Sequence, residues 1–198
     1  MKIKEIIVEK VLLTDVDGVI LDWEAGFVQW AKDNGFTRVV GLENEYDISK
    51  QFNVTYEEGT NMIARFNASD AFGDLGSWRD SVEYLRRLST EGWKIITITT
   101  AGQDPRTYGL RMANFEKVFG DGVVDELYIL PLHGDKGDQL SKYTDSGFFW
   151  IEDKPKNAEL GFKFGLQPLL MDNPHNQKYA GAVSRVHNWA EIYNIINN

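Results

Sequence analysis

The chain has 198 residues, 42% hydrophobic and 26% charged, a folding composition long enough for one domain with a real core. Its 21 Lys and Arg against 30 Asp and Glu leave a net charge of −9. That balance argues against a broad surface for polymeric nucleic acid, but not against a small phosphorylated ligand held by a metal ion or a few placed cations. Cysteine is absent, which removes disulfides, thiolate zinc sites and cysteine nucleophiles.

The opening Met1-Lys2-Ile3-Lys4-Glu5-Ile6 lacks the apolar run of a signal peptide. No stretch of about 18 uncharged apolar residues follows, so the expected location is cytoplasmic, with no membrane partner. The first predicted strand is the apolar run 10–15. A helix is predicted over 22–34, closed by Gly35, and a Thr55-x-x-Glu58 capping box opens another toward Phe66. Ser77 with Asp80 predicts a third, with Trp78, Val82, Leu85 and Leu88 on one face and Gly92 at its end. Strand 93–100 follows, then a helix opened by Asp104-Pro105 and running toward Gly120, then strands at 124–130, 148–153 and 169–172.

Short continuous apolar runs suit parallel strands covered on both faces. Their alternation with helices predicts an α/β fold, a doubly wound, mainly parallel sheet. Residues 19–76 hold helical signals and no good strand, so a small helical cap inserted after the first strand is expected. It would stand as a lid over a core made of 1–18 and 77–198. Ligands of such sheets sit beyond the carboxyl ends of the strands, where Asp15, Asp17, Thr99 and Asp153 fall.

In Asp15-Val16-Asp17-Gly18-Val19 two carboxylates leave the sheet edge together, and Gly18 permits the tight turn beyond them. Like charges so close need a cation or a proton. Three further elements follow in order: the hydroxyls Thr99 and Thr100, then Lys136 in Leu132-His133-Gly134-Asp135-Lys136-Gly137, then the acids Glu152 and Asp153. Each alone has a mundane explanation as a helix cap or a solvated loop. At successive strand ends they form one candidate site.

This ordered set resembles the four motifs of the haloacid dehalogenase-like (HAD-like, Rossmannoid) hydrolase superfamily. The run from Asp15 through Asp22-Trp23-Glu24-Ala25-Gly26-Phe27, with Ile151-Glu152-Asp153-Lys154-Pro155, is similar to the 5'(3')-deoxyribonucleotidases. The resemblance implies a phosphomonoester hydrolase in which Asp15 is the nucleophile that becomes an aspartyl phosphate. Asp17 would protonate the leaving oxygen and then activate water, while Thr99 and Lys136 bind and neutralise the phosphoryl group. It implies Mg2+ on Asp15, Asp17 (through its backbone carbonyl) and Asp153, and a nucleoside monophosphate as substrate. Gly18, Trp23, Thr100 and Tyr46 are the expected substrate-binding residues. The chain departs from the nucleotidases at His133-Gly134, where they carry threonine and arginine, at Thr100-Ala101, where they carry serine and proline, and at Glu152, where they carry aspartate.

The segment 19–76 is rich in aromatics, and most of them are expected to form its own small core. Trp23, matching the base-stacking position of the nucleotidases, is the leading platform, and Tyr46 the second. His175 and His187 are expected to be structural or solvent-facing. Three alternatives stay open: a sugar phosphate or other small-monoester phosphatase, a phosphoacceptor protein, and a catalytically silent metal-binding protein.

Overall fold

The computed structural model describes residues 9–198, so Met1 to Ile6 lie outside the described residues. The first apolar run forms β1 (Val11–Thr14), buried throughout. Helix α1 (Trp23–Asp33) starts where the Asp22 carboxylate accepts the Ala25 N–H at 3.0 Å. Helix α2 (Ile48–Gln51) is capped by Asp47, and α3 (Tyr56–Asn67) by Thr55, whose hydroxyl accepts the Glu58 N–H at 3.1 Å. A 3-10 turn, Asp70–Asp74, leads to α4 (Ser81–Thr90).

The expected opening of α4 at Ser77 needs correction. Ser77 bridges Leu21 instead, and Trp78 precedes the helix. There follow β2 (Lys94–Thr100) and α5 (Pro105–Phe119), the latter opened by Asp104 as its sequence implies. The chain continues through β3 (Glu126–Leu130), α6 (Gly137–Leu140), β4 (Phe149–Glu152), α7 (Pro155–Lys163), β5 (Gln167–Met171), β6 (Ser184–Val186) and α8 (Trp189–Ile196). Elements α2, α6, α7, β6 and α8 are additions to those read from sequence. The Asp80 carboxylate caps α8, accepting the Trp189 and Ala190 N–H groups at 2.8 and 3.0 Å.

The six strands of the described residues are all parallel, in the order β3-β2-β1-β4-β5-β6. The sheet is doubly wound: the chain builds outward from β1 to β3 and returns to lay β4 on the other side of β1. That reversal opens a crevice at the carboxyl ends of β1 and β4. Neighbours in sequence serve opposite faces. Leu12 and Ile95 pack into one apolar cluster, Leu13 and Ile96 into the other, which is why the strands read as unbroken apolar runs.

Residues 19–76 carry α1 to α3 and the 3-10 turn, packed around the fully buried Phe27, Phe66 and Phe72. Gly59 lets α3 approach α2 closely, since a Cβ there would sit 3.0 Å from the Ser49 nitrogen. No helix among the described residues is long and apolar enough to cross a membrane.

Candidate active site

Past β1 the Asp15 N–H donates to the Ile151 carbonyl at 2.8 Å, carrying the strand pairing one residue further. Val16 turns into the core, fully buried, and its carbonyl accepts both the Ile20 and Leu21 N–H groups at 2.9 and 3.0 Å. Asp15 and Asp17, on either side of Val16, therefore both line the crevice. Gly18 follows with φ +75°, and a Cβ there would lie 2.7 Å from Asp153 Oδ2, so backbone conformation and space both require glycine. Side chains from distant elements hold the loop's carbonyls. Asn173 Nδ2 donates to Gly18 O, Trp189 Nε1 to Val19 O and Ser81 Oγ to Ile20 O, each at 2.8 Å.

Lys136, 1% exposed, stands between Asp15 Oδ1 at 2.8 Å and Glu152 Oε2 at 2.7 Å. Glu152 is wholly buried, and its other oxygen accepts the Asp153 and Lys154 N–H groups at 3.2 and 3.0 Å. It is thus a buried counter-ion that aims Lys136 at Asp15. Burial pushes the Lys136 ammonium down, but Asp15 and Glu152 outweigh it and its pKa is raised. Burial, reinforced by Glu152, raises the Asp15 pKa against the pull of Lys136. Burial and the nearby Asp15 charge do the same for Asp153.

Asp17 is held apart from this group. Arg111 Nη2 donates to its Oδ1 at 2.7 Å, and Thr99 Oγ1 lies 3.5 Å from its Oδ2. Burial raises its pKa despite Arg111, and Asp15 adds to the rise. A raised carboxyl pKa favours a role in proton donation.

Asp15, Glu152 and Asp153 each offer a carboxylate oxygen, and these atoms lie within 4.8 Å of one another. The Lys136 contact with Asp15 Oδ1 is an ion pair rather than an aligned hydrogen bond, and that buried oxygen accepts no hydrogen bond among the described residues. Both Glu152 oxygens are already engaged, which leaves Asp15 and Asp153 as the available ligands. An all-oxygen, doubly anionic pair without thiolate fits a hard divalent cation.

Asp15, Asp17, Gly18, Trp23, Tyr46, Thr99, Thr100, Lys136 and Asp153 all line one cavity of about 520 Å³ between the strand ends and α1 to α3. Trp23 has one face stacked on Phe27, ring centroids 4.7 Å apart, and its indole N–H donates to Asn67 Oδ1 at 2.9 Å. Asn67 in turn donates to Ala101 O at 3.0 Å, tying the helical segment to the loop after β2. Tyr46 is 59% exposed at the rim, its ring 5.2 Å from that of His175 and 4.9 Å from Lys154 Nζ.

His187 faces solvent, but His175 is half-buried in the cavity wall with Nε2 3.3 Å from Asp153 Oδ2. Its nearness to Asp153, 22 residues away, has no local signature. At Gly134 a Cβ would lie 2.8 Å from Pro131 O, so this loop admits no side chain there. Arg111 was missed by sequence reasoning. Its one signal was a charge on the same helical stripe as Thr107 and Phe115, both buried.

The sequence model of the family described as "5' nucleotidase, deoxy (Pyrimidine), cytosolic type C protein" matches residues 9–198. The chain belongs to this family. A relative of this nucleotidase-family chain, an uncharacterized 32.4 kDa protein of Enterobacteria phage T4, is 22% identical over 192 residues, covering 92% of this chain and 68% of the relative. Among solved structures, a haloacid dehalogenase-like hydrolase from Streptococcus pneumoniae superposes with TM-score 0.67 at 13% identity, covering 95% of this chain and 98% of that one. The L-2-haloacid dehalogenase of Xanthobacter autotrophicus, with chloropropionic acid covalently bound, gives 0.62 at 9% identity over 96% and 98%. CbbY from Rhodobacter sphaeroides, in complex with phosphate, gives 0.61 at 14% over 93% and 96%. At these identities the likeness is one of fold, which this nucleotidase-family member shares with the three solved structures.

Proposed function

We propose that the chain is a Mg2+-dependent phosphomonoester hydrolase acting on nucleoside monophosphates through a phosphorylated Asp15. The observation that carries this reading is the Asp15 carboxylate, set against buried Lys136 at 2.8 Å, beside Asp153, with Asp17 on the other flank. Phosphate monoesters resist attack because their oxygens are anionic, so the site must supply position and charge neutralisation. Mg2+, held by the Asp15 and Asp153 carboxylates and the Asp17 carbonyl, would supply the larger part of that neutralisation.

The chain's own groups do the rest. An Asp15 oxygen attacks phosphorus, the bond to the ester oxygen breaks, and Asp17 gives that oxygen its proton. Thr99 and Lys136 donate to the phosphoryl oxygens. Water then attacks the phosphorus, Asp17 takes its proton, and the bond between Asp15 and phosphorus breaks to release phosphate. Among the described residues, 19–76 act as a cap over a core of 9–18 and 77–198. Trp23 in the cavity wall, with Tyr46 at the rim, offers a surface for the base.

The test is phosphate release in Mg2+ across deoxy- and ribonucleoside monophosphates, hexose phosphates and a simple aryl phosphate. Preference for nucleotides supports the reading, and preference for hexose phosphates replaces it with the sugar phosphatase alternative. Base stacking contributes about 1–3 kcal/mol, so Trp23→Ala is expected to lower nucleotide kcat/KM tenfold or more and the aryl ester far less.

A further inference from the structure

Arginine is among the side chains least often fully buried, yet Arg111 in the middle of α5 has no exposed side chain at all. Its guanidinium carbon lies 3.9 Å from the ring centroid of Phe72, itself fully buried. Nη2 donates to Asp17 Oδ1 at 2.7 Å, while Nε and Nη1 have no hydrogen-bond partner among the described residues. This is poor construction for stability. A buried charge pair with donors left unpaired is commonly no better than apolar side chains of the same volume, whereas breaking such a pair is costly. Thr107 and Phe115, on the same face of α5, pack without charge.

What the arrangement does is place Asp17. Without a hold, that carboxylate stands two residues from Asp15 and is free to swing toward the carboxylates of Asp15, Glu152 and Asp153. Arg111 draws it to the opposite flank, where Thr99 Oγ1 lies 3.5 Å from the second oxygen. We propose that Arg111 is a positioning residue whose guanidinium fixes the Asp17 carboxylate on the leaving-group side of the cavity, so that Asp17 delivers its proton to the ester oxygen as the bond to phosphorus breaks. Arg111 is not among the residues lining the cavity, so it acts on substrate only through Asp17.

The proposal rests on the hydrolase reading above, and its test separates the two. The full-length protein with Mg2+ is assayed on a nucleoside monophosphate, whose alkoxide leaving group needs a proton, and on p-nitrophenyl phosphate, whose phenolate leaves without one. The readout is kcat/KM, which ends at phosphoryl transfer to Asp15. General acid catalysis contributes about 10²–10⁴-fold. Arg111→Met is therefore expected to lose on the order of 100-fold on the nucleotide, with a loss on the aryl ester at least tenfold smaller.

Asp17→Asn should show the same split, and adding Arg111→Met to it should cost little more. Arg111→Lys, which restores one donor, should recover part of the nucleotide rate. Equal losses on both esters, or none on the nucleotide, would overturn the positioning role. So would failure of both Arg111 variants to fold, which would assign the residue to the core. A wild-type protein that hydrolyses neither ester would instead overturn the hydrolase reading.

Discussion

Trp189, at the start of α8, donates its indole N–H to the Val19 carbonyl at 2.8 Å, linking the last helix to the loop that carries Asp15 and Asp17. Both partners are fully buried. Trp189→Phe keeps an aromatic ring but leaves a buried carbonyl unpaired, at an expected cost of about 1–3 kcal/mol. Urea unfolding should register that loss, and kcat should fall at temperatures where the variant is still folded. Unchanged kcat would mean the loop holds its shape without this anchor.

Gly18→Ala should damage the site more than the fold. The left-handed backbone costs a non-glycine residue about 1–2 kcal/mol, and the added methyl would press on Asp153 Oδ2 from 2.7 Å. A displacement of that kind is expected to lower kcat/KM by about 100-fold. Comparing the melting temperature with turnover checks it: activity lost only in proportion to unfolding would show that Asp153 had not been moved.

Much of this fold was legible because its signals are local. Asp22, Thr55 and Asp104 accept N–H groups two or three residues on, so spacing alone reveals them. Asp15 and Asp153 stand where apolar runs stop, and a wholly parallel sheet gathers such ends in one place. What stayed hidden depends on partners far along the chain. Asp80 looks like a cap for its own helix, yet it serves amides 109 and 110 residues away. Glu152 reads as one of an acid pair facing water until Lys136 is brought against it, and Arg111 gains meaning only from Asp17, 94 residues distant. β6 has three residues, too few for a period to appear.

Mg2+ should stabilise the protein. Burial raises the pKa of both Asp15 and Asp153, so in metal-free protein each destabilises the fold as pH climbs from the unfolded value toward the folded one. At neutral pH a bound cation removes that penalty, and a ligand at 100 times its Kd adds about 2.7 kcal/mol. Thermal unfolding should move upward with Mg2+, return with chelator, and respond little in Asp153→Asn. An equal response in that variant would place the cation elsewhere.

Acid sensitivity should arise in part at Asp172, past the end of β5. Burial pushes its pKa up, but Gln177 and Arg185, donating at 2.8 and 2.9 Å to Oδ1, outweigh it and hold the carboxyl below its usual range. A depressed carboxyl pKa contributes stability above the unfolded value of about 3.9 and loses it as pH falls through the folded one. Asp172→Asn should therefore be less stable than wild type near about pH 6, with the gap narrowing toward about pH 3. Urea midpoints at both values check the sign, and a gap that widened in acid would reverse it.

The central claim is that Asp15 carries the phosphoryl group, and rapid quench tests it most directly. Mixing the enzyme and Mg2+ with a nucleoside monophosphate labelled in its phosphate, then quenching in acid within the first turnover, should leave label on the protein. That label should be released by hydroxylamine, map to the peptide containing Asp15, and be absent from a folded Asp15→Asn that no longer turns over. Turnover by Asp15→Asn at the wild-type rate, or label on a different peptide, would contradict the account.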